Sequence, residues 1–226
     1  MNKFLMLALF TCLLLLVSCT KEQNQDSDVI KDVSNDQEMQ DDNEELIEET
    51  DQHPLLSYFM EAGKIAHFKG DGNENSNFIK RTEYMSENYI IEYEGNGGRG
   101  TLTTYRVEEN QIVIVKQEFG FPMDYNNQDL SELEFELDSL PPLFEYLKTP
   151  FDVASANYNK YIVTEVSATV ETHYGTFDNA IVIEFMNAYK DIVRSYLVEG
   201  FGEVKREYFF SGEEEPAGTS SIEKVE

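Results

Sequence analysis

Ile162-Val163-Thr164-Glu165-Val166-Ser167-Ala168-Thr169-Val170-Glu171 is the stretch that decides the fold class. Ile162, Val166, Ala168 and Val170 share one face of an extended chain, while Glu165, Ser167, Thr169 and Glu171 share the other. Side chains alternate sides along a strand, so this period of two predicts an antiparallel strand with one dry and one wet face. His173-Tyr174-Gly175 supplies a turn, and residues 180–186 return from it. Residues 192–198 run on, and Gly200-Phe201-Gly202 leads into a further strand over 204–210.

The same grammar extends toward the N-terminus. Residues 64–68 read as a first strand stopped by Gly70-Asp71-Gly72-Asn73; strands over 78–85 and 89–94 follow, with Tyr89, Ile91 and Tyr93 on one face. Gly95-Asn96-Gly97-Gly98-Arg99-Gly100 is a hairpin connection into 101–107. Glu109-Asn110 turns the chain into 112–119, whose apolar residues fall on both faces, as in a central strand. Residues 120–130 read as loop and 133–137 alternate. Pro141-Pro142 and Pro150 bracket a segment with room only for a short helix. Residues 55–60 form a helical turn or an irregular lead-in.

About ten short strands at hairpin spacing predict a mainly β fold. One antiparallel β-rich domain spans residues 53–212, closed as a curved sheet, a sandwich or a partly open barrel. About 160 residues suit one domain and can bury a core without covalent staples. Residues 213–226 read as an acidic C-terminal tail, with an edge strand over 221–225 as the alternative.

Before residue 53 the composition changes. Residues 19–52 are dominated by Asp, Glu, Asn, Gln and Ser, with runs such as Asp41-Asp42-Asn43-Glu44-Glu45. Such a segment cannot bury enough apolar surface to offset the entropy of ordering, which predicts a disordered acidic linker extended by self-repulsion. Lys and Arg number 17 against 44 Asp and Glu, a formal net charge of −27. Nucleic acid is excluded as a partner on that balance, because binding it requires basic side chains on phosphates.

At the start, Lys3 precedes an apolar run over 4–17 that closes on Leu16-Val17-Ser18-Cys19. About 14 residues is short for a membrane-spanning helix, which needs about 20, and fits a signal peptide. Leu16-Val17-Ser18-Cys19 resembles the lipobox of bacterial lipoproteins. The resemblance implies a signal peptide over residues 1–18, removal of Cys12 with it, and lipidation of Cys19. It also implies a palmitate-type anchor in the cell membrane with the domain on the extracytoplasmic face. Two acyl chains at about 0.8 kcal/mol per methylene hold a protein on a bilayer where one is marginal. The two cysteines then leave no disulfide, cysteine-based zinc site or cysteine nucleophile in the domain.

A second likeness covers most of residues 53–211. Phe68-Lys69-Gly70-Asp71-Gly72-Asn73-Glu74, then Gly175-Thr176-Phe177-Asp178-Asn179 before an aliphatic strand, then Tyr196 followed by Gly200-Phe201-Gly202-Glu203-Val204-Lys205 occur in that order. The set resembles uncharacterised β-rich cell-surface lipoproteins of Gram-positive bacilli. It implies an envelope location and a β-rich domain, and no activity.

Candidate chemistry is sparse. Asp71-Gly72-Asn73-Glu74-Asn75 offers oxygen ligands for calcium, but Ser76 and Thr82 stand where an EF-hand loop needs Gly and Glu. His53, His67 and His173 lack the spacing of a metal or general-base site. Gly95–Gly100 lacks the Lys and Ser/Thr of a phosphate loop. Glu165, Glu171 and Glu184 could pair as in glycosidases, but their alternation suits a solvated sheet face. Tyr84, Tyr89, Tyr93, Tyr105, Tyr158, Tyr161, Tyr196 and Tyr208 could line a binding face, though Tyr is also a strand former. The expectation is therefore no catalytic residue, no metal, no cofactor and no enzyme. A lipid-anchored envelope protein would bind or scaffold an unidentified envelope protein or ligand. A carrier of an apolar molecule in a β cavity and an envelope hydrolase are the rivals.

Overall fold

The structure, a computed structural model, describes residues 52–71, 77–96, 98–122 and 137–226. Residues 1–51, with Cys19, lie outside them, as do most of the calcium-loop candidate and residues 133–136.

Among the described residues a short 3-10 helix, Pro54–Tyr58, comes first, and eleven strands follow. They are β1 (Ile65–Asp71), β2 (Phe78–Met85), β3 (Tyr89–Gly95), β4 (Arg99–Glu108), β5 (Gln111–Pro122), β6 (Phe144–Lys148), β7 (Tyr161–Glu171), β8 (Thr176–Met186), β9 (Ile192–Val198), β10 (Gly202–Phe209) and β11 (Gly218–Val225). They form one sheet in the order β6-β5-β4-β3-β2-β1-β11-β10-β9-β8-β7, antiparallel at every pairing and curled into a nearly closed barrel.

Parity explains why it is not fully closed. A ring in which every neighbour is antiparallel needs an even number of strands, and eleven leaves one junction unsatisfied. That junction lies between β6 and β7, which run in the same direction, so residues 149–160 carry the chain back along the sheet before β7 starts. Aromatic rings fill the seam where a hydrogen-bond ladder would be. Tyr146 and Tyr161 meet edge-on with centroids 5.2 Å apart, and Phe144 stands 6.0 Å from Tyr161 and 5.6 Å from Phe185. Such pairs add about 0.5–1.5 kcal/mol each beyond area burial.

Three expectations need correction. Residues 213–226 are not simply an acidic tail: 218–225 form β11, an interior strand between β1 and β10, with Ser220, Ser221 and Ile222 buried. The charged residues that suggested a tail belong to the preceding turn and to the outer face. The segment between the prolines holds strand β6 and no helix. The third concerns the deciding stretch itself. Val163 is buried and Val166 is 41% exposed, while Ala168 and Val170 are buried again, so the alternation changes phase within β7. Ser167 lies in the left-handed region, φ 63°, inside irregular pairing with β8, where Asn179 has φ 61°. A bulge inserts a residue and shifts every side chain beyond it to the other face.

This bend lays the hairpin tip across β11. Tyr174 N donates to Ile222 O at 2.8 Å, and His173 Nδ1 lies 2.7 Å from Ser221 Oγ. Ala168, Val170, Ala180 and Val182 thereby pack with Val198 and Val204 in one apolar cluster. A second cluster fills the barrel: Ile90, Tyr105, Ile112, Ile114, Ile181, Ile183 and Leu197, sealed at one end by Leu55, Leu56 and Phe59 of the 3-10 helix and its exit. Burying each of these side chains contributes about 1.5–3 kcal/mol. Gly200 N donates to Ser57 O at 2.6 Å, and Gly202 takes φ 69°, a left-handed conformation that glycine adopts without strain. Gly202 thus lets the β9–β10 turn seat against the plug. At the opposite end the barrel has a mouth.

Candidate functional site

Residues paired across a ladder share a face, so the register places Lys80 of β2, Glu92 and Glu94 of β3, Thr101 and Thr103 of β4, and Glu203 and Arg206 of β10 on the inner surface. They meet between the apolar plug and the mouth. Lys80 Nζ lies 3.1 Å from Glu92 Oε2 and 3.3 Å from Glu203 Oε2. Arg206 grips Glu94 with both Nη atoms, at 2.8 and 2.7 Å, and Glu203 through Nε and Nη2, at 2.8 and 2.6 Å. Ser195 Oγ donates to Glu203 at 2.5 Å and Tyr105 OH to Glu92 at 3.0 Å. The Arg206 guanidinium stacks 4.7 Å over Phe78.

Three carboxylates face two cations, one positive charge short. Burial pushes the Glu203 carboxyl up, but Arg206, Lys80 and the Ser195 hydroxyl outweigh it and hold it at about 2. Burial likewise raises Glu92, and Lys80 and Tyr105 draw it only part of the way back, so Glu92 is the least compensated of the three. Burial works to lower the Lys80 ammonium, yet Glu92 and Glu203 prevail and raise it. Each charge here is paired with another inside the network.

An inner cavity of about 290 Å³ lies over this network, walled by Tyr105, Tyr146, Tyr161 and Phe185. A wider mouth of about 500 Å³ adjoins it, and the two share Glu94, Thr101 and Arg206. The mouth end carries exposed Phe119, Tyr158, Tyr189 and Phe210.

The residues singled out in sequence do not converge. His53 caps the 3-10 helix by accepting from Leu55 N at 3.3 Å, His67 pairs with Glu226 at 3.5 Å, and His173 holds the hairpin tip. Glu165 and Glu171 are exposed, and Glu184 pairs with Arg194 at 2.7 Å. Gly95 and Gly100 end the β3–β4 hairpin beneath the Tyr93 ring, so this is a hairpin with an aromatic cover. The tyrosines scatter: Tyr105 and Tyr161 line the lumen, Tyr84 and Tyr93 join the separate Ile91–Leu102 cluster, and Tyr89, Tyr196 and Tyr208 donate to Asp138, Glu207 and Asp191. Among the described residues no group of His, Cys, Asp and Glu is arranged to hold a metal ion.

The five charged residues of the lumen escaped sequence reasoning. Their signal was available in Phe78-x-Lys80-x-Thr82 and Ile90-x-Glu92-x-Glu94, charges in register with apolar residues, but alternation alone assigns such charges to water.

No protein-family profile and no curated protein matches the chain. Two solved structures resemble it. One is an inferred exported protein of YmcC-like fold from Bacteroides fragilis, 10% identical, with TM-score 0.44 over 74% of this chain and 97% of that one. The other is an inferred lipoprotein from Parabacteroides distasonis, also 10% identical, with TM-score 0.42 over 75% of this chain and 98% of that one. At this level neither export nor lipidation transfers from them. Neither comes from the Gram-positive bacilli, and the narrower likeness to bacillar lipoproteins gains no support.

Proposed function

We propose that the chain is anchored through lipid on Cys19 at the extracytoplasmic face of the cell membrane and acts there as a non-catalytic binding protein, with the barrel mouth as its receiving surface. The observation that carries the reading is the division of labour in the lumen: the charged groups are spent on one another, while the mouth above them is open and rimmed by uncovered aromatics. The same division disfavours a carrier of wholly apolar cargo. Such a molecule would press against the buried network, and burying charges against hydrocarbon is costly. For hydrolysis, a carboxylate pair would have to be released from its cations.

The test is photo-crosslinking of the full chain in living cells. A benzoylphenylalanine replaces Tyr189 at the mouth end, or Glu109 at the plugged end, with and without Cys19→Ala. The expected result is a reproducible product from the mouth position alone that disappears with Cys19→Ala. Equal capture from both ends, or capture indifferent to Cys19, would overturn the reading.

A further inference from the structure

We infer that the mouth takes a neutral, polyhydroxylated ring ligand, a saccharide unit, packed on Tyr208 and Phe210 and hydrogen-bonded at Ser220. The inference rests on the mouth being a binding site and names its ligand class. Ser220 is only 7% exposed and lines the mouth, yet its hydroxyl has no hydrogen-bond partner among the described residues. A hydroxyl that opens onto a cavity and is not taken by the protein can meet an incoming donor or acceptor.

The walls supply the apolar half. Phe78 is taken on both sides, stacked 4.3 Å from Phe68 and 4.7 Å under Arg206, so it offers no free ring. Tyr208 and Phe210 stand edge to face at 5.3 Å, and Phe210 is 51% exposed. A volume of about 500 Å³ lies within the range of small-molecule sites.

Charge selects the class. An anion would have to take Arg206 from Glu94, whose two bonds to it are 2.8 and 2.7 Å, or rest on Arg99 alone, an exposed side chain on a chain of formal net charge −27. A cation would meet Arg99 at the rim, and the carboxylate nearest to it, Glu94, is already held by both Nη atoms of Arg206. A neutral ring with one apolar face and several hydroxyls uses the open aromatics and the unpaired hydroxyl and leaves the ion pairs intact.

The experiment is calorimetric titration of the full chain, held in a zwitterionic sugar-free detergent, with neutral cellohexaose and chitin hexamer, anionic hexagalacturonate and cationic chitosan hexamer. A neutral oligomer is expected to bind, about tenfold more weakly to Phe210→Ala and several-fold more weakly to Ser220→Ala, with Arg194→Ala unchanged. Unfolding curves of each variant confirm that it is folded. If only a charged oligomer binds and Phe210→Ala weakens it, the ligand class is wrong and the mouth stands. Binding indifferent to Phe210, or no binding by any probe, overturns the saccharide inference, and the crosslinking result then judges the mouth separately.

Discussion

Two arginines in this barrel each hold two glutamates, and they do opposite work. Arg206 reaches from β10 across the lumen to Glu94 on β3, with β2, β1 and β11 between them in the sheet. Arg194 bonds Glu184 at 2.7 Å and Glu207 at 3.5 Å, and both are its direct cross-strand partners on β8 and β10. The first pairing joins walls that no backbone ladder connects. The second reinforces a register already fixed by hydrogen bonds. With the same side chains in both, topology decides which pairing determines the shape of the cavity.

Removing the shared anchor should break the comparison most visibly. Glu203→Gln takes a carboxylate from both Lys80 and Arg206 in a nearly dry site, and breaking a buried pair costs about 3–5 kcal/mol. The expected outcome is a large drop in urea midpoint. The sign with pH follows from the lowered Glu203 value: the unfolded state binds its proton first, so this stabilisation is complete above the ordinary value of 4.5 and drains as pH falls toward about 2. Wild-type stability should therefore decline through that window, and the Glu203→Gln curve should be flatter there. A parallel decline in both proteins would remove the cross-lumen role.

Glu92→Gln gives a smaller effect of opposite slope. The folded-state value of Glu92 is raised, so the native protein holds this proton more tightly than the unfolded chain. Its contribution is present below the ordinary value and lost as pH rises through the raised one. Gln keeps an acceptor for Tyr105 and leaves Lys80 paired with Glu203. The variant should gain on wild type as pH rises from 4 to 8. Denaturation midpoints across that range check it; a gap that narrows with rising pH would contradict it.

Much of the ladder was legible, because alternation and turn residues are local. Residues 78–85 and 192–198 are strands as the pattern predicts. What was hidden depends on contacts distant in sequence. Residues 218–225 look like a charged tail until β1 and β10 flank them, and the Ile162–Val170 alternation cannot show that Ser167 will bulge. The site was hidden for the same reason. Lys80 and Glu203 lie 123 residues apart, and nothing in either neighbourhood says that their strands face each other across a lumen.

Arg194→Ala sharpens the contrast at its small end. The guanidinium is 35% exposed and stacks 4.6 Å over Phe209, and its partners are held in place by the β8–β9–β10 ladder whether or not the charge is there. Glu207 also keeps Lys205 at 2.8 Å and the Tyr196 hydroxyl at 3.0 Å. Cross-strand pairs of this kind contribute about 0.2–1 kcal/mol, and exposed ones lose strength in salt. The expected loss is about 1 kcal/mol or less, shrinking between low and high salt, with the lumen unchanged. A loss as large as that of Glu203→Gln would mean that register pins and cross-lumen ties are energetically alike, and that burial, not topology, separates the two arginines.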